Sequence, residues 1–272
     1  MTVHTETPLR WPELARSETH PALFDEALVS RYDKTDVIYF RSIARRCSIR
    51  QMVDVYRAMG IAGKRRVLEI GAGAGQGSFA AASLNEEVLA IDVNPSFIEL
   101  CESVRARRQV TNLTFACRSF ASPLLPAGDF DAVICSEVLF TVDTEACMRR
   151  LGELVRPGGL LYIRTHCFPW AAHYWLRSMF VEPNLIDFAL FSHRLATAVP
   201  RQLFGLRLSR RYHYVTRREL YRFFEREGFT LIAATGERGE RDLFRLAPAL
   251  LEWRKPGRAG ILYFIDALAK KQ

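Results

Sequence analysis

The stretch "VLEIGAGAGQG", residues 67–77, puts four glycines into seven positions directly behind an apolar run that opens on the β-branched Val67. Each glycine inside a regular element costs roughly 0.5 to 1 kcal/mol relative to alanine. Four in one turn therefore mark a place where something must approach the main chain closely. Downstream, short β-rich runs alternate with helix-length segments: "RRVLEI", "EVLAID", "NLTFAC", "FDAVICS" and "LLYIRT" are the runs. The spacing predicts helices over 76–84, over 95–108 opening at Pro95, and over 143–155 closing at Pro157, Gly158 and Gly159. Proline suits a helix's first turn, and glycine suits the left-handed turn that leaves one. Such alternation argues for an α/β fold, a parallel sheet with helices on both faces.

In an open sheet of this kind a ligand sits beyond the carboxyl ends of the strands, where successive connections diverge. The glycine turn follows the first strand and opens a helix, so its amides face that crevice. Asp92 ends the second strand, 21 residues beyond Gly71. A carboxylate there is suited to accept both hydrogen bonds of a ribose diol, each worth roughly 1.5 to 3 kcal/mol because the acceptor is charged. The dinucleotide fingerprint G-x-G-x-x-G is not met: its sixth position is Gln76 counted from Gly71, and Ser78 counted from Gly73. That disfavours a pyrophosphate and leaves a nicotinamide-dependent oxidoreductase as the alternative enzyme class.

The chain is 272 residues long with 49% hydrophobic and 25% charged residues, the profile of an ordinary globular protein with room for a sizeable core. The N-terminal "MTVHTETPLRWPELARSETH" is too polar for a secretory signal, and no long apolar stretch spans a membrane, so a cytoplasmic location is expected. The cysteines at 47, 101, 117, 135, 147 and 167 form no C-x-x-C pair and the histidines no H-x-x-x-H pair, so no metal site is expected. The formal charge of +8 is local: between Arg194 and Arg222 stand eight arginines (194, 201, 207, 210, 211, 217, 218 and 222) against the single acid Glu219. A patch of this size suits one anionic group, an acidic partner or a membrane surface better than a nucleic acid.

The residues "EIGAGAG", the acid of "AIDVN", "FDAVICSEVLF" for a fourth strand and "LVRPGGLLYI" leading into a fifth resemble the class I S-adenosylmethionine-dependent methyltransferases. "VTRRELYRFFEREGFTLI" resembles that family's late helix and sixth strand. The resemblance implies a Rossmann-like, mostly parallel sheet of seven strands that binds S-adenosylmethionine. It implies that Glu69 and the Gly71, Gly73 and Gly75 loop hold the cofactor's methionine half, that Asp92 holds the ribose hydroxyls, and that Val93 packs near the adenine. Ser119 and Phe120 stand where many relatives carry an acid toward the adenine amino group, which leaves the Ser119 hydroxyl and the Phe120 backbone amide to meet the ring, and Ser136 closes the fourth strand beside the cofactor. Around this domain, residues 63–272, the expected additions are an N-terminal helical cover over 1–62 and a helical substrate lid over 166–214.

For chemistry, the carboxyl ends of the fourth and fifth strands offer Glu137 and His166 as candidate bases. Many relatives carry a histidine after the fourth strand, where this chain has Phe140 and Thr141. The lid joins "FPWAAHYWLRSMF" to the basic run beyond Arg194, aromatic enough to cover an apolar acceptor and basic enough to hold an anionic one. Tyr32 and Tyr39 of the N-terminal cover are candidates to close over the cofactor. The expected reaction is methyl transfer to a small, partly hydrophobic, anionic acceptor, at oxygen first, with carbon or nitrogen as options. A methyltransferase-like scaffold that transfers no methyl is a further reading. Structural readings stay open beside these: the glycines as helix–strand packing, Asp92 as a helix cap, Glu69 paired with Arg65 or Arg66, His166 as a structural hydrogen-bonder, and Glu137 as a helix-initiating acid.

Overall fold

The computed structural model describes residues 9–12, 30–31, 48–139, 144–181, 183, 185–204, 214–235, 237–248 and 264–272. The strands are β1 (Arg66–Ile70), β2 (Glu87–Asp92), β3 (Leu113–Cys117), β4 (Phe130–Ser136), β5 (Val155–His166), β6 (Phe229–Ala234) and β7 (Phe264–Lys271). They form one seven-stranded sheet in the order β3-β2-β1-β4-β5-β7-β6. β1 to β5 run parallel, and β7 lies antiparallel to both β5 and β6. The order reverses between β1 and β4, so the crevice opens above those two strands.

Among the described residues the helices are α1 (Ile49–Ala58), α2 (Gln76–Leu84), α3 (Pro95–Arg107), α4 (Thr144–Leu154), α5 (Phe168–Phe180), α6 (Leu185–Phe204), α7 (Arg217–Arg226) and the short α8 (Leu243–Leu246). Local chemistry starts them where the sequence predicts. Asn94 accepts from Ser96 N–H ahead of Pro95 at the head of α3, and Thr216 with Glu219 closes a capping box at the head of α7. Gly158 takes the left-handed turn. The strand nevertheless begins earlier than "LLYIRT" suggests: β5 starts at Val155, and its ladder with β4 shifts register between Phe130 and Ala132. No helix among the described residues is long and apolar enough to cross a membrane.

Each face of the sheet carries its own core. Val67, Val88, Ala132, Ile134, Tyr162 and Leu268 pack with α1, α2 and α3. Their odd-step neighbours Leu68, Val133, Cys135, Leu161, Ile163 and Ala267 pack with α4 and α7. α1, which the sequence places in the N-terminal cover, lies inside the first core: Ile49, Val53, Val55 and Tyr56 are all buried there. Most of the rest of that cover, with Tyr32 and Tyr39, lies outside the described residues, as do Phe140, Thr141 and the basic run 205–213. α5 and α6 pack on each other through Trp175 Nε1, which donates to Ser192 Oγ at 2.8 Å, and around a small cluster of Ala171, Phe191, Ala198 and Tyr214.

Candidate functional site

Successive side chains on a strand point to opposite faces, and this alternation gathers the polar candidates. Counting in steps of two from Val67, Ala90, Ile134, Tyr162 and Leu268 puts Glu69, Asp92, Ser136, Arg164, His166 and Asp266 all on the α1, α2 and α3 face, toward the carboxyl ends of the parallel strands. The cofactor candidates Glu69 and Asp92 sit on β1 and β2, while Ser136 and the candidate bases sit at the ends of β4 and β5, on either side of the strand-order reversal.

The glycine loop is built as a close-approach turn. Gly71, Gly73 and Gly75 have φ of 81°, 51° and 85°, the left-handed region that disfavours any side chain. Gly71 and Ala72 both donate to Ile91 O, at 2.9 and 3.0 Å, which ties the loop to the end of β2. Gly77 is required for a different reason. A Cβ there would run into Glu69 Oε1 and the Tyr56 hydroxyl. Gly77→Ala is expected to destabilise the fold by about 2 kcal/mol through this overpacking, read as a lower thermal midpoint; an unchanged midpoint would show that the carboxyl relaxes freely.

Asp92 joins loop and strand. Its Oδ2 accepts from Gly73 N at 3.0 Å and its Oδ1 from Asn94 N at 2.9 Å. The cap of α3 falls to Asn94, so the helix-cap reading of Asp92 yields to a loop-holding one. Each carboxylate oxygen keeps acceptor capacity for a diol. Asp92→Ala removes the loop tie and the candidate diol acceptor together, so S-adenosylhomocysteine affinity is expected to fall about 100-fold; calorimetry within threefold of the parent would overturn that assignment.

Glu69 is only 4% exposed, and its Oε2 accepts from Ser78 Oγ at the head of α2. Burial pushes its carboxyl up to about 8; the Ser78 hydrogen bond opposes the rise and the charge of Asp92 adds to it. The alternative pairing with Arg66 is not made, since that guanidinium is engaged by Glu87 and Asp129. Val93 is 69% exposed, an apolar surface left bare just past Asp92. Ser119 is exposed, with its hydroxyl accepting from Ala121 N at 3.3 Å. The Phe120 side chain is buried with Leu125 and Ile91 in the opposite core, so the backbone amide is what it offers a ligand. These groups fit S-adenosylmethionine: a bare loop for the methionine half, two carboxyl groups for ammonium and diol, and an apolar shelf for the base.

Across the crevice, Glu137 follows Ser136 with φ of 60°, rare for a residue with a side chain. Its N–H donates to Arg164 O at 2.8 Å, and its Oε1 lies 3.1 Å from Arg164 Nε. Its Oε2 stands 3.6 Å from His166 Nε2, close enough for electrostatic coupling but beyond a hydrogen bond. His166 is buried, its ring stacked on Trp170 at 3.9 Å. Arg194 of α6 lies over Trp170 and Phe191, at 5.9 and 5.1 Å from the ring centres, so one described arginine of the basic run borders this aromatic wall. Two members of the cluster were not singled out from sequence: Arg164 and Asp266. The signal was present in "LLYIRTH" and "FIDALA", where a single charge interrupts an apolar run.

Residues 61–228 match the family described as methyltransferase domain. A ubiquinone biosynthesis O-methyltransferase of Xanthomonas axonopodis pv. citri is 36% identical over 103 residues, 37% of this chain and 42% of that protein. A ubiquinone biosynthesis O-methyltransferase of Coxiella burnetii is 29% identical over 102 residues, 37% of this chain and 43% of that protein. The chain thus spans less than half the length of these curated relatives. Among solved structures, a geranyl diphosphate methyltransferase in complex with GPP and sinefungin superposes with a TM-score of 0.57 at 13% identity, covering 92% of this chain and 87% of that one. The [4+2]-cyclase SpnF superposes with a TM-score of 0.54 at 16% identity, covering 84% and 82%.

Proposed function

This chain belongs to the family of S-adenosylmethionine-dependent methyltransferases, and from that premise we propose that it methylates an oxygen of a small, partly hydrophobic, anionic acceptor, with His166 as the base. The observation that carries the reading is the dyad at the ends of β4 and β5, where Glu137 Oε2 stands 3.6 Å from His166 Nε2. The O-methyltransferases among the relatives support oxygen as the acceptor atom.

When bound, S-adenosylmethionine supplies an electrophilic methyl and its own leaving group, so the protein's task is positioning and proton handling. Orientation of reactants supplies up to roughly 7 to 11 kcal/mol of a barrier. The glycine loop, Glu69 and Asp92 would fix the cofactor over β1 and β2. Neutral His166 would take the acceptor's hydroxyl proton, and Glu137 would stabilise the resulting imidazolium. The His166 ring is held by its stack on Trp170. The α5 and α6 pair would shelter the acceptor from water, with the Arg194 charge beside that wall favouring an anionic group.

A second reading follows from the shared fold of a [4+2]-cyclase: the same scaffold shaping a substrate without methyl transfer. Methyl-labelled cofactor separates the two. Label should pass to the oxygen of at least one member of a panel of acidic, phenolic and isoprenoid acceptors. Cofactor binding with no transfer to any member would favour the second reading, and label on nitrogen or carbon would correct the acceptor atom.

A further inference from the structure

Arg164 is a guanidinium inside a sheet, 3% exposed. A buried charge needs oppositely charged partners, and it has acids on two sides. Glu137 lies on the site side, with Oε1 at 3.1 Å. Asp266, fully buried, lies directly across the β5–β7 ladder from it. Residues directly opposite in an antiparallel pair share a face with Cβ atoms about 4.5 to 5.5 Å apart. Asp266 is itself fixed: Tyr162 Oη donates to its Oδ1 at 2.7 Å, and its N–H donates to Thr235 Oγ1 at 3.1 Å. The β5–β7 register thus sets Asp266 beside Arg164, whose guanidinium pairs with Glu137, which in turn lies within coupling range of the candidate base His166.

We propose that Arg164 and Asp266 are positioning residues that set the proton affinity of His166 with opposite signs, Arg164 by partly neutralising Glu137 and Asp266 by partly neutralising Arg164. This rests on the reading of His166 as the base for its consequence in catalysis, though not for its electrostatics. Arg164 restrains the pull of Glu137 on the imidazole proton, so that His166 stays neutral and able to accept. Asp266 limits that restraint. The charged and titratable groups around His166 among the described residues include Glu137 from the end of β4, Arg164 and the Tyr162 phenol from β5, Asp266 from β7 and, across the Trp170 ring, Arg194 of α6 with the phenols of Tyr174 and Tyr214. Glu137 also depends on Arg164 for its place, since the left-handed backbone at 137 is gripped by the Arg164 carbonyl as well as the side chain.

The test follows the histidine Cε1–H resonances of the full-length chain by NMR titration, with no acceptor present. The chain has six histidines, and His166→Asn identifies the resonance that disappears. Removing a unit charge at this range shifts a titration midpoint by about one pH unit. Arg164→Met should raise the His166 midpoint, Asp266→Asn should lower it, and Arg164→Lys, which keeps the charge, should leave it close to the parent. S-adenosylhomocysteine binding serves as the check that each variant is folded. If Arg164→Met does not fold, the contrast between Asp266→Asn and Arg164→Lys still decides. Midpoints that all stay at the parental value, or that move in the same direction, would overturn the proposal. If the opposed shifts appear while His166→Asn transfers labelled methyl at the parental rate, the electrostatic inference stands and only the base reading falls.

Discussion

His166→Asn is expected to lower the single-turnover rate of methyl transfer by 10²- to 10⁴-fold, the usual contribution of a positioned general base, on the order of 3 to 5 kcal/mol. Asparagine keeps a planar polar group against Trp170, so the stack that orders the ring, with centroids 3.9 Å apart, is largely preserved and the fold should hold. Affinity for S-adenosylhomocysteine should change less than about twofold, because none of the residues assigned to the cofactor lies on β5. The acid limb of the pH–rate profile should vanish with the imidazole, whereas a purely structural histidine would leave its shape and change only its height. Glu137→Gln is expected to fall between parent and His166→Asn. It keeps a hydrogen-bonding side chain beside Arg164 but removes the charge that favours a proton on His166. A His166→Asn rate within a few-fold of the parent would move the search for a base off β5.

The glycine turn, the order of β1 to β5 and the place of Asp92 were legible because each rests on local chemistry: period-two burial, a proline at a helix start, and glycines where φ must be positive. At Phe120 two sets of constraints meet. The Ser119 side chain faces solvent, but the next side chain turns into the core with Phe130 and Leu125, a choice set by packing across the sheet. β7 could not be placed from its own residues. Its pairing with β5 is antiparallel and joins positions about a hundred apart, as Arg164 with Asp266, and no local pattern encodes such a partner. For the same reason the charges behind His166 were invisible as a group, although the lone Arg164 within an apolar strand was a sign that some distant acid had to exist. Tyr56 is a similar case, since its role against Gly77 and Glu69 depends on α1 packing beside α2.

Glu69 should make both stability and cofactor affinity depend on pH. An ordinary glutamate has a value near 4.5, and burial raises this one to about 8. Between those values the folded protein holds a proton that the unfolded chain releases, so the slope of unfolding free energy with pH is negative. The stability associated with the protonated carboxyl is therefore fully present below pH 4.5 and is lost progressively as pH rises through about 8. At about 1.4 kcal/mol per unit, the whole excursion is on the order of 4 to 5 kcal/mol. Glu69→Gln carries no titrating group and keeps an acceptor for Ser78. It should lose this part of the slope, so the parent-minus-variant difference in unfolding free energy should decline steadily across the window. Cofactor affinity should run the other way. If ionised Glu69 pairs with the cofactor's ammonium group, each pH unit below 8 weakens S-adenosylhomocysteine binding by up to about tenfold, because a proton must first leave. Calorimetry at several pH values on both proteins separates the contributions. Parent affinity should climb toward pH 8 while the variant stays weak and flat; equal, flat affinities in the two proteins would place Glu69 in the core alone, outside cofactor binding.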